Sequence, residues 1–168
     1  MDAVGTVKTR SYSYQAATID PAKAATMSGL DLMRAVMEGK LPRPSIGFTL
    51  GFVLVEVEAG RVVFEGAPGD WSYNPLGTVH GGYAATMLDS CLGCVVHTTL
   101  PAGTSYTTVE LKVNYVRALK PGIVVRAEGK AVHSGGRIAT AEGRLIGKDD
   151  GKLYAHGSTT CLVMKLGE

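Results

Sequence analysis

Between Trp71 and Val109 the chain runs for 39 residues with one charged side chain, Asp89. Inside that stretch, from Gly82 to about Thr98, apolar residues such as Tyr83, Met87, Leu88, Cys91, Leu92, Val95 and Val96 occupy every face of a helix. A helix that is hydrophobic all round has to be enclosed. Whatever the 168 residues fold into is therefore built around this segment. Charged residues are 19% of the whole chain, against a usual share of about 25%. The other 129 residues carry 31 of the 32 charges, so one region holds the whole deficit and one carboxylate stands alone in it.

The enclosing material reads as strands. Gly51–Glu58 and Arg61–Glu65, joined by Ala59-Gly60, form a hairpin pattern. Alternating apolar and polar residues follow near 109–115, 123–128, 137–146 and 153–164, separated by turn residues. Such alternation marks antiparallel strands with one wet face. The expected order is a hairpin, one buried helix and a four-stranded meander, with strand character setting in from Gly47. Ahead of them, Ser28 and Asp31 resemble a capping box, and Leu30, Met33, Val36 and Met37 share a face. Gly39 and Pro42 suit a helix end, so a short amphipathic helix is expected over 29–38. The expected division is an extension over 1–44 and an α+β domain over 45–168.

Several classes drop out. Net charge is +2 and no run of Lys or Arg occurs, which argues against a nucleic-acid surface. No apolar run follows Asp2, so no secretory signal is expected. No stretch has the roughly 20 apolar residues of a membrane span. Three cysteines, an odd number, argue against a disulfide framework and for the cytoplasm. Phosphate-loop, dinucleotide-binding and serine-elbow motifs are absent from the sequence. Cys91-x-x-Cys94 is expected to pack in the core, since no thioredoxin-like setting surrounds it. Trp71 and Tyr73 are expected to anchor a loop.

The chemistry concentrates between Asn74 and Thr108. Asn74-Pro-Leu-Gly-Thr-Val-His80-Gly81-Gly82 leads straight into the buried helix. Gly81 and Gly82 let a ligand approach the backbone closely. They also lie where unpaired N–H groups and the helix dipole favour negative charge, as on a carbonyl oxygen becoming an oxyanion. Asp89 follows two helical turns later. A carboxylate on an otherwise apolar helix is costly unless it is hydrogen-bonded or functional. Taken singly, the glycines fit tight packing and Asp89 fits a satisfied polar group. Together they favour a site.

These residues resemble a known family. Asn74-x2-Gly77-x2-His80-Gly81-Gly82-x6-Asp89 is similar to the signature of hotdog-fold acyl-coenzyme A thioesterases of the phenylacetate-pathway (PaaI-like) type, over about residues 45–165. The resemblance implies a hotdog fold, in which a curved antiparallel sheet wraps one helix. It implies homodimers at minimum, often homotetramers, with active sites between subunits, and acyl-coenzyme A as substrate with no metal or organic cofactor. Asp89 then matches the carboxylate that activates water or attacks the thioester itself. Gly81 matches the N–H that polarises the carbonyl. Asn74 and His80 match loop residues supplied by the neighbouring subunit, and Thr108 the hydroxyl that holds the water. Gly82 lies beside the substrate, and Arg117, Lys120 and Arg137 near the turns that receive the nucleotide. The 29–38 helix resembles an element seen in part of the family. Its apolar face either lines the acyl pocket or simply covers the sheet. Two competing expectations are a hotdog hydratase or dehydratase pairing His80 with Asp89, and a binding module without turnover.

Overall fold

A computed structural model describes residues 5–166. After an extended arm come α1 (Pro21–Ala25), α2 (Gly29–Met37) and α3 (Ser45–Leu50). The hairpin β1 (Phe52–Glu58) and β2 (Arg61–Gly66) follows, then a short 3-10 turn at Asp70–Ser72 and the long helix α4 (Gly81–His97). The chain closes with β3 (Thr104–Tyr115), β4 (Val125–Ser134), β5 (Ile138–Gly147) and β6 (Leu153–Lys165). No helix among the described residues is long and apolar enough to cross a membrane.

The six strands form one antiparallel sheet in the order β1-β2-β4-β5-β6-β3. This corrects the four-stranded meander. β3 does not lie beside β4; it pairs with β6 from Thr104↔Lys165 to Tyr115↔Ala155 and becomes one edge of the sheet. Only β4, β5 and β6 form a meander, and β4 joins the hairpin through β2. A second correction concerns the strand onset at Gly47: Ser45–Leu50 is helical, and Gly51, at φ +71°, ends the helix before β1 begins. Helix α2 forms where expected, with Ser28 Oγ accepting from the Asp31 N–H at 3.2 Å.

Helix α4 crosses the concave face of the sheet, and Met87, Leu88, Cys91, Leu92 and Val95 are fully buried there. Complete burial of side chains of this size stabilises by ~1.5–3 kcal/mol each. The sheet meets the helix with small residues. Gly129, Gly143 and Gly157 stand side by side on β4, β5 and β6. A Cβ on Gly129 would lie 2.9 Å from Val95, and one on Gly143 2.8 Å from Leu92. On the outer face Arg126 pairs with Glu56, Glu65 and Glu128 across β1, β2 and β4. These pairs are partly exposed and contribute modestly.

The arm is tied to two elements near the start of α4. The Arg10 guanidinium lies 3.8 Å from the Trp71 ring centre and donates to the Thr49 carbonyl of α3 at 2.6 Å. Lys8 pairs with Asp70. Trp71 in turn meets Tyr83 edge-on at 6.2 Å, so it anchors its loop as expected.

Candidate active site

The helix start is built by its own loop. Asn74 Oδ1 accepts from the N–H groups of Leu76 (2.9 Å) and Thr78 (3.2 Å), and its amide donates to Thr78 Oγ1 at 2.8 Å. With Gly77 at φ +75°, this makes a closed turn that delivers His80 to the helix. His80 is the N-cap, and its Nδ1 accepts from the Gly82 N–H at 2.9 Å. Nδ1 being an acceptor leaves the ring proton on Nε2, facing outward as a donor. The Gly81 N–H, first in the helix, has no intrahelical acceptor. Tyr115, at the end of β3, donates its hydroxyl to the Gly81 carbonyl at 3.1 Å and lays its ring against that glycine.

Asp89 stands two turns along α4, half-buried. The Thr108 hydroxyl donates to its Oδ1 at 3.2 Å. Thr108 reaches it from an irregularity in the pairing of β3 with β6, between Thr108 and Glu110. Asp89, Ser90 and Thr108 open into a cavity of about 260 Å³ whose other walls include Met33 and Val36 of α2. The apolar face of α2 therefore lines a cavity as well as covering the sheet.

A single chain divides the expected site in two. His80 and Gly81 face a different hollow, of about 300 Å³, together with Tyr115, Arg117 and Tyr154. Asn74 braces the loop leading there, and the Gly82 N–H is taken by His80. Lys120 lies in the β3–β4 connection just beyond Arg117. Arg137 sits in the β4–β5 turn, which the strand registers place at the opposite end of the sheet. Sequence reasoning missed Tyr115 and the phenylalanines of the cavity. Phe48, Phe52 and Phe64 are all the phenylalanines of the chain, and their clustering within 17 residues was a usable signal.

The remaining candidates are structural. The Cys91 thiol contacts the carbonyls of Val62 (3.4 Å) and Ala127 (3.2 Å), and burial holds it protonated by pushing its pKa well up. Burial pushes the Cys94 thiol up to about 12. Neither is a thiolate at neutral pH, so the Cys-x-x-Cys pair packs rather than reacts. Burial lowers the pKa of His97, which lies 5.4 Å from the Tyr106 ring. Among the described residues no group of three or more His, Cys, Asp or Glu is placed to hold a metal ion.

Residues 76–154 match the thioesterase superfamily model. A solved thioesterase from Ralstonia eutropha, related to phenylacetic acid degradation, is 30% identical and superposes with a TM-score of 0.70 over 77% of this chain and 98% of its own. The chain belongs to the thioesterase superfamily. Acyl-coenzyme A thioesterase 13 of Mus musculus is 29% identical over 129 residues, 76% of this chain and 91% of that one. An esterase of Caenorhabditis elegans is 31% identical over 106 residues, 63% of this chain and 62% of its own length, so this chain spans less than two thirds of that relative. The PaaI-like hotdog resemblance read from the sequence agrees with these relatives and with the single sheet curved over α4. This thioesterase thus carries its Asp89 cavity and its helix start as two separate parts of one chain.

Proposed function

We propose that this thioesterase hydrolyses acyl-coenzyme A to the free acid and coenzyme A, with Asp89 as the group that activates water. One observation carries the reading. Asp89 is a half-buried carboxylate at the polar end of an apolar cavity, with the Thr108 hydroxyl 3.2 Å from Oδ1. A water held between Asp89 and Thr108 faces a thioester carbonyl whose acyl tail fills the cavity. Asp89 takes a proton as the water oxygen bonds to the carbonyl carbon, and the carbonyl electron pair moves onto oxygen. When the carbonyl re-forms, the carbon–sulfur bond breaks and the proton passes from Asp89 to the departing sulfur. Direct attack by the carboxylate, giving an anhydride that water then cleaves, starts from the same geometry. No metal or organic cofactor takes part; coenzyme A enters with the substrate.

The oxyanion needs a donor that the same chain does not bring to Asp89. Gly81 lies eight residues before Asp89, about 12 Å along the helix axis. A second copy with its α4 antiparallel supplies the Gly81 N–H, with His80 and Asn74 shaping the approach. Among the described residues β3 pairs on one side only, and Val109, Tyr115 and Val116 along and just after it are more than half exposed. An unpaired edge of this length is a template for another strand. The working unit is then a homodimer at minimum, and a homotetramer joins two such dimers. Arg117 and Lys120 lie at the Gly81 end, where coenzyme A phosphates arrive. In an antiparallel pair Arg137 comes from the other subunit. Free Cys91, Cys94 and Cys161 suit the reducing cytoplasm.

Release of free thiol from acyl-coenzyme A tests the reading. Asp89→Asn is expected to lower kcat by about 10²–10⁴-fold while the protein remains folded. Full activity in that variant would remove Asp89 from the chemistry.

A further inference from the structure

The cavity beside Asp89 has a direction. Asp89, Ser90 and Thr108 form its polar end. Away from them the wall is mainly hydrocarbon, with Met33 and Val36 from α2, Ile46 and Phe48 from α3, and Phe52 and Phe64 from the hairpin, beside the uncharged Cys94 and Tyr106. Among the described residues its one other charged lining side chain is Arg43, which is exposed and carries its guanidinium 4.3 Å from the centre of the Phe48 ring. Arg43 is thus a rim residue. The interior has no cation for an acyl carboxylate, and burying an unpaired charge is costly.

All six of these apolar wall residues precede the 76–154 stretch matched by the superfamily model, and four of them, Met33, Val36, Ile46 and Phe48, belong to α2 and α3. They are also firmly held. The Gly29 N–H donates to the Leu100 carbonyl at 3.0 Å. Gly29 approaches His97 so closely that a Cβ would fall 1.8 Å from the His97 carbonyl oxygen. Helix α2 is thereby docked on the end of α4. Helix α3 is tied to the arm by Arg10 and stopped by Gly51. A wall fixed at both helices limits length; it does not merely cover the sheet.

We propose that α2 and α3 form the end wall of the acyl pocket, and that the substrates are thioesters of uncharged, medium-length acyl groups. This rests on the thioesterase reading of the same cavity. A cavity of about 260 Å³ closed by this wall takes a tail of limited length.

The test is a series of straight-chain acyl-coenzyme A thioesters from two to sixteen carbons, with one acyl group ending in a carboxylate, assayed by thiol release. In the wild-type protein kcat/KM should rise with chain length through the medium range, then fall by at least about tenfold once the chain meets the wall. The carboxylate-ended thioester should be turned over far more slowly than its uncharged counterpart. Met33→Ala removes part of the wall and should move the limit to longer chains. Ile46→Trp adds bulk at a position that is 43% exposed and not essential to the core; it should move the limit to shorter chains. An undiminished rate at sixteen carbons, equal turnover of the charged acyl group, or an unchanged length profile in folded Ile46→Trp would overturn the end wall while leaving the thioesterase reading intact. Failure of the wild-type protein to cleave any coenzyme A thioester would overturn both.

Discussion

Gly81 carries two constraints that substitution can separate. Its N–H opens the helix without an intrahelical acceptor, and its α-carbon lies under Tyr115, where a Cβ would come within 3.0 Å of the ring. Proline at the first helical position removes the N–H and preserves the helix. His80 before it, at φ −62° and ψ 137°, already has the backbone that a proline requires of its predecessor. Gly81→Pro is expected to lower kcat by about 10²–10³-fold with little loss of stability. Gly81→Ala keeps the N–H and asks only that the exposed Tyr115 swing aside, so most of the activity should remain. A Gly81→Pro enzyme as fast as wild type would remove the oxyanion role. His80, Gly81 and Asp89 were legible in the sequence because a helix start and a lone carboxylate announce themselves locally. Tyr115 was not, because its bond to Gly81 spans 34 residues and nothing around a strand-end tyrosine points to it. Asn74 was legible as a member of the motif, but its bonds to Leu76 and Thr78 emerge only once the turn is folded.

Helix α4 sits close to the sheet because Gly129, Gly143 and Gly157 line up beneath it. A Cβ on Gly143 would fall 2.7 Å from the Glu128 carbonyl oxygen and 2.8 Å from Leu92, so backbone as well as side chain has to yield. Gly143→Ala should cost about 1–3 kcal/mol, read as a lower midpoint in urea unfolding. Gly136→Ala, in open space, should leave the midpoint unchanged. These three glycines fall at equal intervals in the sequence, a regularity hidden among 22 glycines that otherwise mostly mark turns. Period alone also misled at Ser45–Leu50. Ile46, Phe48 and Leu50 alternate as a strand would, and six residues are too few for a helical period to declare itself. The same limit explains β3. Alternation tells which side of a strand faces the core, not which strand lies beside it, and the nine residues after Tyr115 carry the chain from one edge of the sheet to β4.

At the scale of the molecule, the stretch from Trp71 to Val109, whose one charge is Asp89, forms the loop, the helix and the first half of the strand that carry both halves of the proposed site. Asp89 and Thr108 belong to one hollow, His80 and Gly81 to another. The β3 edge between solvent and β6 offers the place where two copies meet. In the proposed homodimer the two-fold makes the arrangement reciprocal: each copy would lend its helix start to the other's carboxylate. The most direct measurement is complementation between two inactive variants. Asp89→Asn and Gly81→Pro are co-expressed with different tags, the mixed oligomer is isolated, and acyl-coenzyme A hydrolysis is compared with each variant alone. A mixed dimer has one site with both defects and one with neither, so about half of wild-type activity should return. A mixed oligomer no more active than its parents would contradict a site shared between subunits.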